Sequence, residues 1–209
     1  MQNIIVKAIV LCVLTNGLFA QTVALNGKFG VTSDYVFRGM TQNANAASVS
    51  GGVDVYYQGI FAGMSVANVV GGSEEDYFAG YMKQFGGLGL SVGYFAGKYP
   101  KMKLLNYEES TLSLSYQFEN SFNITLNYAH PLTKGNEEMN NKELVVNYKA
   151  LSVSAGKYNT FGKYVKVSLA KKVDKNSYTI NYSDFKHSSN SILNEKIVFV
   201  SAQRDFSLL

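Results

Sequence analysis

From about residue 24 to its end the chain alternates apolar and polar side chains with a period of two, and that pattern leaves few folds open. In the first run Leu25, Phe29, Val31, Tyr35 and Phe37 fall on one face, and Asn26, Lys28, Thr32, Asp34 and Arg38 on the other. Leu112, Leu114, Tyr116 and Phe118 alternate with Thr111, Ser113, Ser115 and Gln117. Phe122, Ile124, Leu126 and Tyr128 alternate with Asn123, Thr125 and Asn127, and Tyr178, Ile180 and Tyr182 with Thr179, Asn181 and Ser183. No stretch in this region holds apolar residues at helical spacing. The reading is twelve strands, within a range of ten to fourteen: 24–38, 47–57, 60–70, 76–85, 88–98, 107–118, 122–130, 141–149, 151–159, 163–172, 177–185 and 195–206.

The connections alternate in length as well. Tight ones fall at 58–59, 86–87, 119–121, 150 and 173–176, and longer polar ones at 41–46, 71–75, 99–106, 131–140 and 186–194, with a shorter one at 160–162. Short turns on one side, longer loops on the other and strands of about ten residues describe a transmembrane antiparallel up-and-down β-barrel. Lipid offers no hydrogen-bond partner to an open sheet edge, so spanning strands must close on themselves. An exported soluble barrel or sandwich has the same period with its apolar face turned inward, and periodicity does not separate the two. The polar face here is built from Ser, Thr, Asn, Gly and Gln rather than Lys and Glu, which suits a hydrated lumen. Length agrees: twelve strands of about ten residues leave about 69 residues for eleven connections, whereas sixteen strands would leave about 29 for fifteen.

Composition narrows the function classes. Charged residues are 16% of the chain, against roughly 25% in an ordinary soluble domain. With 15 Tyr, 13 Phe, 19 Gly and only 2 Pro, disorder, collagen and coiled coil are excluded. The single cysteine is Cys12, inside the N-terminal apolar stretch, so a processed chain would carry no thiol, and disulfide scaffolds, cysteine nucleophiles and cysteine metal sites fall together. The net charge of +4 is scattered along the chain, without the clustering that nucleic acid requires.

The first residues read as a secretory signal. Lys7 precedes an apolar run from Ala8 to Leu14, which continues to Ala20. A basic start, a short apolar core and a small residue at the end are the features of a cleaved leader. Asn16 interrupts the run, which is too short for the roughly 20 apolar residues of a spanning helix. The expected division is a signal peptide at 1–20 and a single barrel domain at 21–209, with cleavage after Ala24 as the alternative.

The run from Val31 to Gln42, with Ser33-Asp-Tyr-Val-Phe-Arg-Gly39 at its centre, is followed by Gly51-Gly-Val-Asp54, Gly59-Ile-Phe-Ala-Gly63 and Ala67-Asn-Val69. With Gly80-Tyr81, Tyr99-Pro100 and Asn106-Tyr-Glu-Glu109, these segments closely resemble the TorF-type porins, a group of outer-membrane barrels. The resemblance spans the chain after the leader, more strongly in its first half, and places Glu109 at that group's glutamate. It implies a pore-forming protein of the Gram-negative outer membrane, with lipid and lipopolysaccharide around it and small polar solutes passing through it.

The candidate site is therefore a lumen. If the polar faces point inward, Lys28, Asp34, Arg38, Asp54, Glu109, Glu143 and Lys166 line it, as a field that orders solutes, as internal ion pairs that brace the wall, or both. On a continuous strand Asp34 and Arg38 stand about 13 Å apart, so each is expected to pair across to a neighbouring strand. Twelve strands give a bore between a filled eight-stranded barrel and a wide sixteen-stranded porin. A narrow channel for passive diffusion follows. The alternatives are an outer-membrane enzyme acting on lipid or lipopolysaccharide, and a non-conducting barrel that binds a partner through its long loops.

No catalytic residue, cofactor or metal ligand is assigned. His130 and His187 lie at strand ends without a nucleophile-elbow motif, and nothing in the spacing of Glu137, Glu138 or Asp184 adds up to a metal site. Gly87, Gly89 and Gly93 lack the spacing and the following helix of a nucleotide loop. The acidic run Glu74-Glu-Asp76 reads as a solvated loop.

Overall fold

The computed structural model describes residues 23–209; the leader expected at 1–20 lies outside the described residues. Twelve strands close into one antiparallel barrel. Along the chain they are β1 (Ala24–Thr32), β4 (Ser48–Tyr57), β5 (Ile60–Val69), β6 (Gly72–Phe85), β7 (Leu88–Lys98), β8 (Tyr107–Gln117), β9 (Phe122–Pro131), β10 (Asn141–Tyr148), β11 (Leu151–Tyr158), β12 (Gly162–Val173), β13 (Asn176–His187) and β14 (Glu195–Ser207). Between β1 and β4 lies a separate two-stranded hairpin, β2 (Val36–Phe37) and β3 (Met40–Thr41). Each barrel strand pairs with its neighbour in the chain, and β14 returns to β1 in a register running from Asn26↔Ser207 to Thr32↔Ser201. The sheet therefore has no free edge, the one arrangement that hydrocarbon permits. Among the described residues no helix is long and apolar enough to cross a membrane.

The apolar face points outward. Phe29, Val53, Leu90, Leu112, Leu126, Leu144, Val165 and Ile180 are all exposed on the outer wall, where water would make such a continuous band unfavourable and lipid makes it favourable. Their polar strand neighbours turn inward, and Ser154, Ser168, Asn181 and Ser183 are buried there. This settles the direction that periodicity leaves open. In β14 the competition between two phases goes to Val198 and Val200 outside, with Ile197 and Phe199 buried inside.

Two segments depart from the expected layout. The first strand, expected over 24–38, leaves the sheet after Thr32. The hydroxyl of Ser33 accepts from the amide of Val200 at 3.0 Å and the Thr32 hydroxyl donates to the Asp34 carbonyl at 2.7 Å, so side chains take over the ladder's hydrogen bonds. From there residues 33–47 fold back into the barrel. The loop expected at 71–75 contracts to the two-residue connection Val70 and Gly71, the latter at φ 79°. Glu74, Glu75 and Asp76 therefore belong to β6, not to a solvated loop, and Glu74 is only 2% exposed. This connection and that at 159–161 also break the strict alternation of short turns with long loops.

Candidate functional site

The inward-folded segment 33–47 organises the lumen. Its hairpin pairs Val36 with Thr41 and Phe37 with Met40, leaving Arg38 and Gly39 as a two-residue tip at φ 44° and 94°. Two consecutive left-handed residues make the tight turn that matches the twist of a hairpin. Glycine is required at the second: a Cβ on Gly39 would collide with Tyr164 and crowd Phe185. The Thr41 hydroxyl donates to Asp34 Oδ1 at 2.6 Å and accepts the amides of Asn43 and Asn45. Asn43 Nδ2 reaches the Ala47 carbonyl at 2.7 Å. The segment thus carries its own internal hydrogen-bond frame.

Its tip crosses to the far wall. Arg38 makes a bidentate pair with Glu109 of β8, at 2.6 and 2.9 Å, with side chains 18% and 5% exposed. Two parallel charge-assisted bonds fix orientation as well as distance. Burial alone would lower the Arg38 guanidinium, but the hydrogen bond and charge of Glu109 hold it above its ordinary value. Elsewhere the Thr41 amide donates to Glu195 at 2.8 Å and the Ser183 hydroxyl to the Gly39 carbonyl at 3.3 Å. Five strands, β8 and β11 to β14, therefore hold one turn of chain through Glu109, Tyr158, Tyr164, Ser183 and Glu195.

Aromatic side chains fill the space around that turn. Tyr158, Tyr164 and Phe185 form the buried cluster of the molecule, with Met40, Met139 and Phe161 packed against it. Across the lumen Tyr99 donates to Glu74 Oε1 at 2.5 Å. Tyr35 of the loop and Tyr107 of β8 face the same carboxylate, although the Tyr107 hydroxyl falls short of a well-formed hydrogen bond. Burial, and then the charges of Glu74 and Asp76, raise the Tyr35 phenol well above its ordinary value. Asp76 accepts from Ser65 at 3.3 Å.

The expected lining residues divide into two groups. Arg38 and Glu109 meet directly, and Asp34, 3% exposed, serves the loop through Thr41. Asp34 and Arg38 do not lie on a strand: they are four residues apart on a folded-back loop, and only Arg38 reaches another strand. The remaining four lie on the wall. Asp54 accepts from Asn26 at 3.0 Å, and Glu143 accepts from Asn127 and Tyr164, each at 3.0 Å. Lys28 lies 5.8 Å from the centre of the Phe78 ring. Lys166 stands in register between Ser154 and Ser183 and takes part in none of the ion pairs among the described residues.

Sequence reasoning missed Glu74, Asp76, Tyr99, Tyr107, Tyr158, Tyr164 and Phe185. For three of the aromatic residues a signal was present. Tyr158 shares strand phase with Ser154 and Gly156, Tyr164 with Lys166 and Ser168, and Phe185 with Asn181 and Ser183. An aromatic residue in phase with the polar set belongs inside. The histidines make local contacts: His130 Nδ1 lies 3.1 Å from Asn140 Oδ1, and His187 Nδ1 accepts the amides of Ser189 and Asn190.

The lumen has two mouths of opposite character. At the long-loop end a cavity of about 550 Å³ is lined mainly by apolar and aromatic side chains, with Arg38 and Glu109 on its floor. At the short-turn end a cavity of about 480 Å³ is lined by polar and charged groups, among them Lys28, Asp54, Lys172, Asp174 and Asp205.

Comparison with known proteins agrees with this architecture. A family model described as a bacterial protein of unknown function, Gcw_chp, matches residues 19–203. No protein of curated function matches the sequence. Among solved structures the fold is similar to the KdgM porin, at 11% identity and a TM-score of 0.59, covering 88% of this chain and 99% of that one. It is similar to the KdgM porin in complex with disordered oligogalacturonate, at 12% identity with the same TM-score and coverage. The NanC porin matches at 11% identity and a TM-score of 0.51, covering 88% of this chain and 98% of that one.

Proposed function

The chain belongs to the Gcw_chp family of bacterial proteins of unknown function, and from that premise we propose that it is a TorF-type, porin-like channel of the Gram-negative outer membrane. Small polar solutes diffuse passively through a narrow lumen that the inward-folded segment 33–47 constricts. The leader at 1–20 directs export and is removed, leaving the long loops outside the cell and the short turns and both termini in the periplasm. Lipid surrounds the apolar wall, and the outer leaflet's lipopolysaccharide meets the long-loop rim.

The observation that carries this reading is the Arg38–Glu109 pair across a closed twelve-stranded barrel. A loop carried across the bore and oriented at its tip by this bidentate contact leaves a restricted path and sets its width, whereas a barrel of this size without it would be open. Lys28, Asp54, Glu143 and Lys166 line the wall, and their mixed signs favour dipolar solutes over a single ion class. The buried cluster of Tyr158, Tyr164 and Phe185 favours a second reading, a sealed barrel whose loops bind a partner.

Planar-bilayer conductance of the refolded protein separates the two. Small discrete conductance steps, with liposome uptake falling steeply as solute size grows, are expected. Absence of both conductance and uptake, in a sample that shows the heat-dependent gel shift of a folded barrel, overturns the channel. Intact-mass measurement of the exported protein tests cleavage after Ala20 against Ala24.

A further inference from the structure

The cavity at the long-loop end has the wrong chemistry for the mouth of a purely polar pore. Arg38 and Glu109 meet in its lining, Gln42, Asn136 and the exposed Glu138 are its other polar residues, and the remaining lining is apolar or aromatic. Thioethers come from three separate elements: Met40 from β3, Met102 from the connection after β7, and Met139 from the connection after β9. Rings come from Phe37, Tyr99, Tyr107, Tyr158 and Phe161. At the rim Leu104 is fully exposed and Val70 and Leu105 are about half exposed. A chain gains nothing by presenting such a concave apolar surface to water unless something covers it.

The size and lining match a small-molecule site, where an apolar wall supplies affinity and a few convergent polar groups supply orientation. Thioethers and ring edges together favour a flat aromatic ligand. Methionine, flexible and polarizable, adapts to the outline of such a ligand. The floor adds charge complementarity. A guanidinium carries five donors, and Glu109 occupies one on each terminal nitrogen of Arg38. The Arg38 side chain keeps 18% of its surface exposed and lines the cavity. Donors left over at the bottom of an aromatic well call for an oxygen acceptor on the ligand.

We propose that this cavity binds a small planar aromatic molecule bearing one oxygen acceptor, with its ring against Met40, Met102 and Met139 and its oxygen at Arg38. The site goes beyond the channel reading and does not depend on conduction.

The methionines that define the site also report on it. The full mature chain is labelled with ¹³C-methyl methionine, placed in phosphatidylcholine nanodiscs and titrated with 1-naphthol. Saturable shifts at the methyl groups of Met40, Met102 and Met139 are expected. Met64, exposed on the lipid-facing wall, and Met82, near the short-turn end, serve as internal controls. Shifts confined to Met64, or equal at all five positions, would mean partitioning into lipid and overturn the site. An equal saturable response to 1-octanol overturns the aromatic assignment. Replacing Met102 and Met139 together by Gln is expected to weaken the response at Met40 at least tenfold while the heat-dependent gel shift persists; an unchanged Met40 response refutes the proposal.

Discussion

The two halves of the lumen are built from the same alternating strands but handle charge in opposite ways. At the long-loop end two buried acids take fixed partners: Glu109 with Arg38, and Glu74 with the Tyr99 phenol. All three ion pairs among the described residues belong to this half, the outer two being Lys98–Glu108 and Lys186–Asp184. At the short-turn end Lys28, Asp54, Lys172 and Asp205 surround an open cavity and form none of these ion pairs, the two acids accepting only from the amides of Asn26 and Gln203. Water screens the second set, so those charges need no ionic partner. Water is largely excluded from the first set, where each charge needs a fixed partner and in return holds chain in place. The difference comes from fifteen residues that leave the wall, since without segment 33–47 the upper half would be as wet as the lower.

The strongest way to break this contrast is Arg38→Ala. It strands a carboxylate that is 4% exposed, at an expected cost of about 3 kcal/mol to seating of the loop. Conductance is expected to rise several-fold and the unfolding temperature to fall, while the double variant Arg38→Ala/Glu109→Gln recovers much of the lost stability. Bilayer recordings and thermal unfolding check both. Gly39→Val attacks the same turn through sterics alone, since its Cβ meets Tyr164 and its φ is 94°. About 2 kcal/mol is expected, again with higher conductance but with the Arg38–Glu109 charges intact.

Tyr99→Phe removes one donor from the buried Glu74 carboxylate. A hydrogen bond to a charged group contributes about 1.5 kcal/mol, so a modest fall in thermal stability without a change in ion selectivity is expected. The smallest effect on stability lies at the other end. Lys28→Ala changes it by less than about 0.5 kcal/mol, yet shifts the reversal potential in a salt gradient toward cations. If Lys28→Ala leaves selectivity unchanged while Tyr99→Phe alters it, the assignment of free charge to the short-turn half and structural charge to the long-loop half is wrong.

Strands were readable because lipid imposes a strict rule on them. The register of β9 with β10, from Asn141↔Ala129 to Tyr148↔Phe122, follows from alternation bounded by turn residues, and the strand count from length. The loop was not readable. Asp34, Phe37 and Arg38 continue the period of β1, and only the Ser33 hydroxyl taking the Val200 amide shows where the sheet ends. Glu74 and Asp76 were misplaced for a related reason: three acids in a row mimic a solvated loop, while in β6 two of the three face inward.

The sequence by itself determined an antiparallel all-β chain of about twelve strands and which face of each strand is polar, because those follow from local alternation and from length. Tertiary structure alone decided what the interior contains. Residues 38 and 109, or 39 and 164, meet through a fold-back that no local period records. Whether a charge stands free in water or locked to a partner depends on what the rest of the chain places beside it.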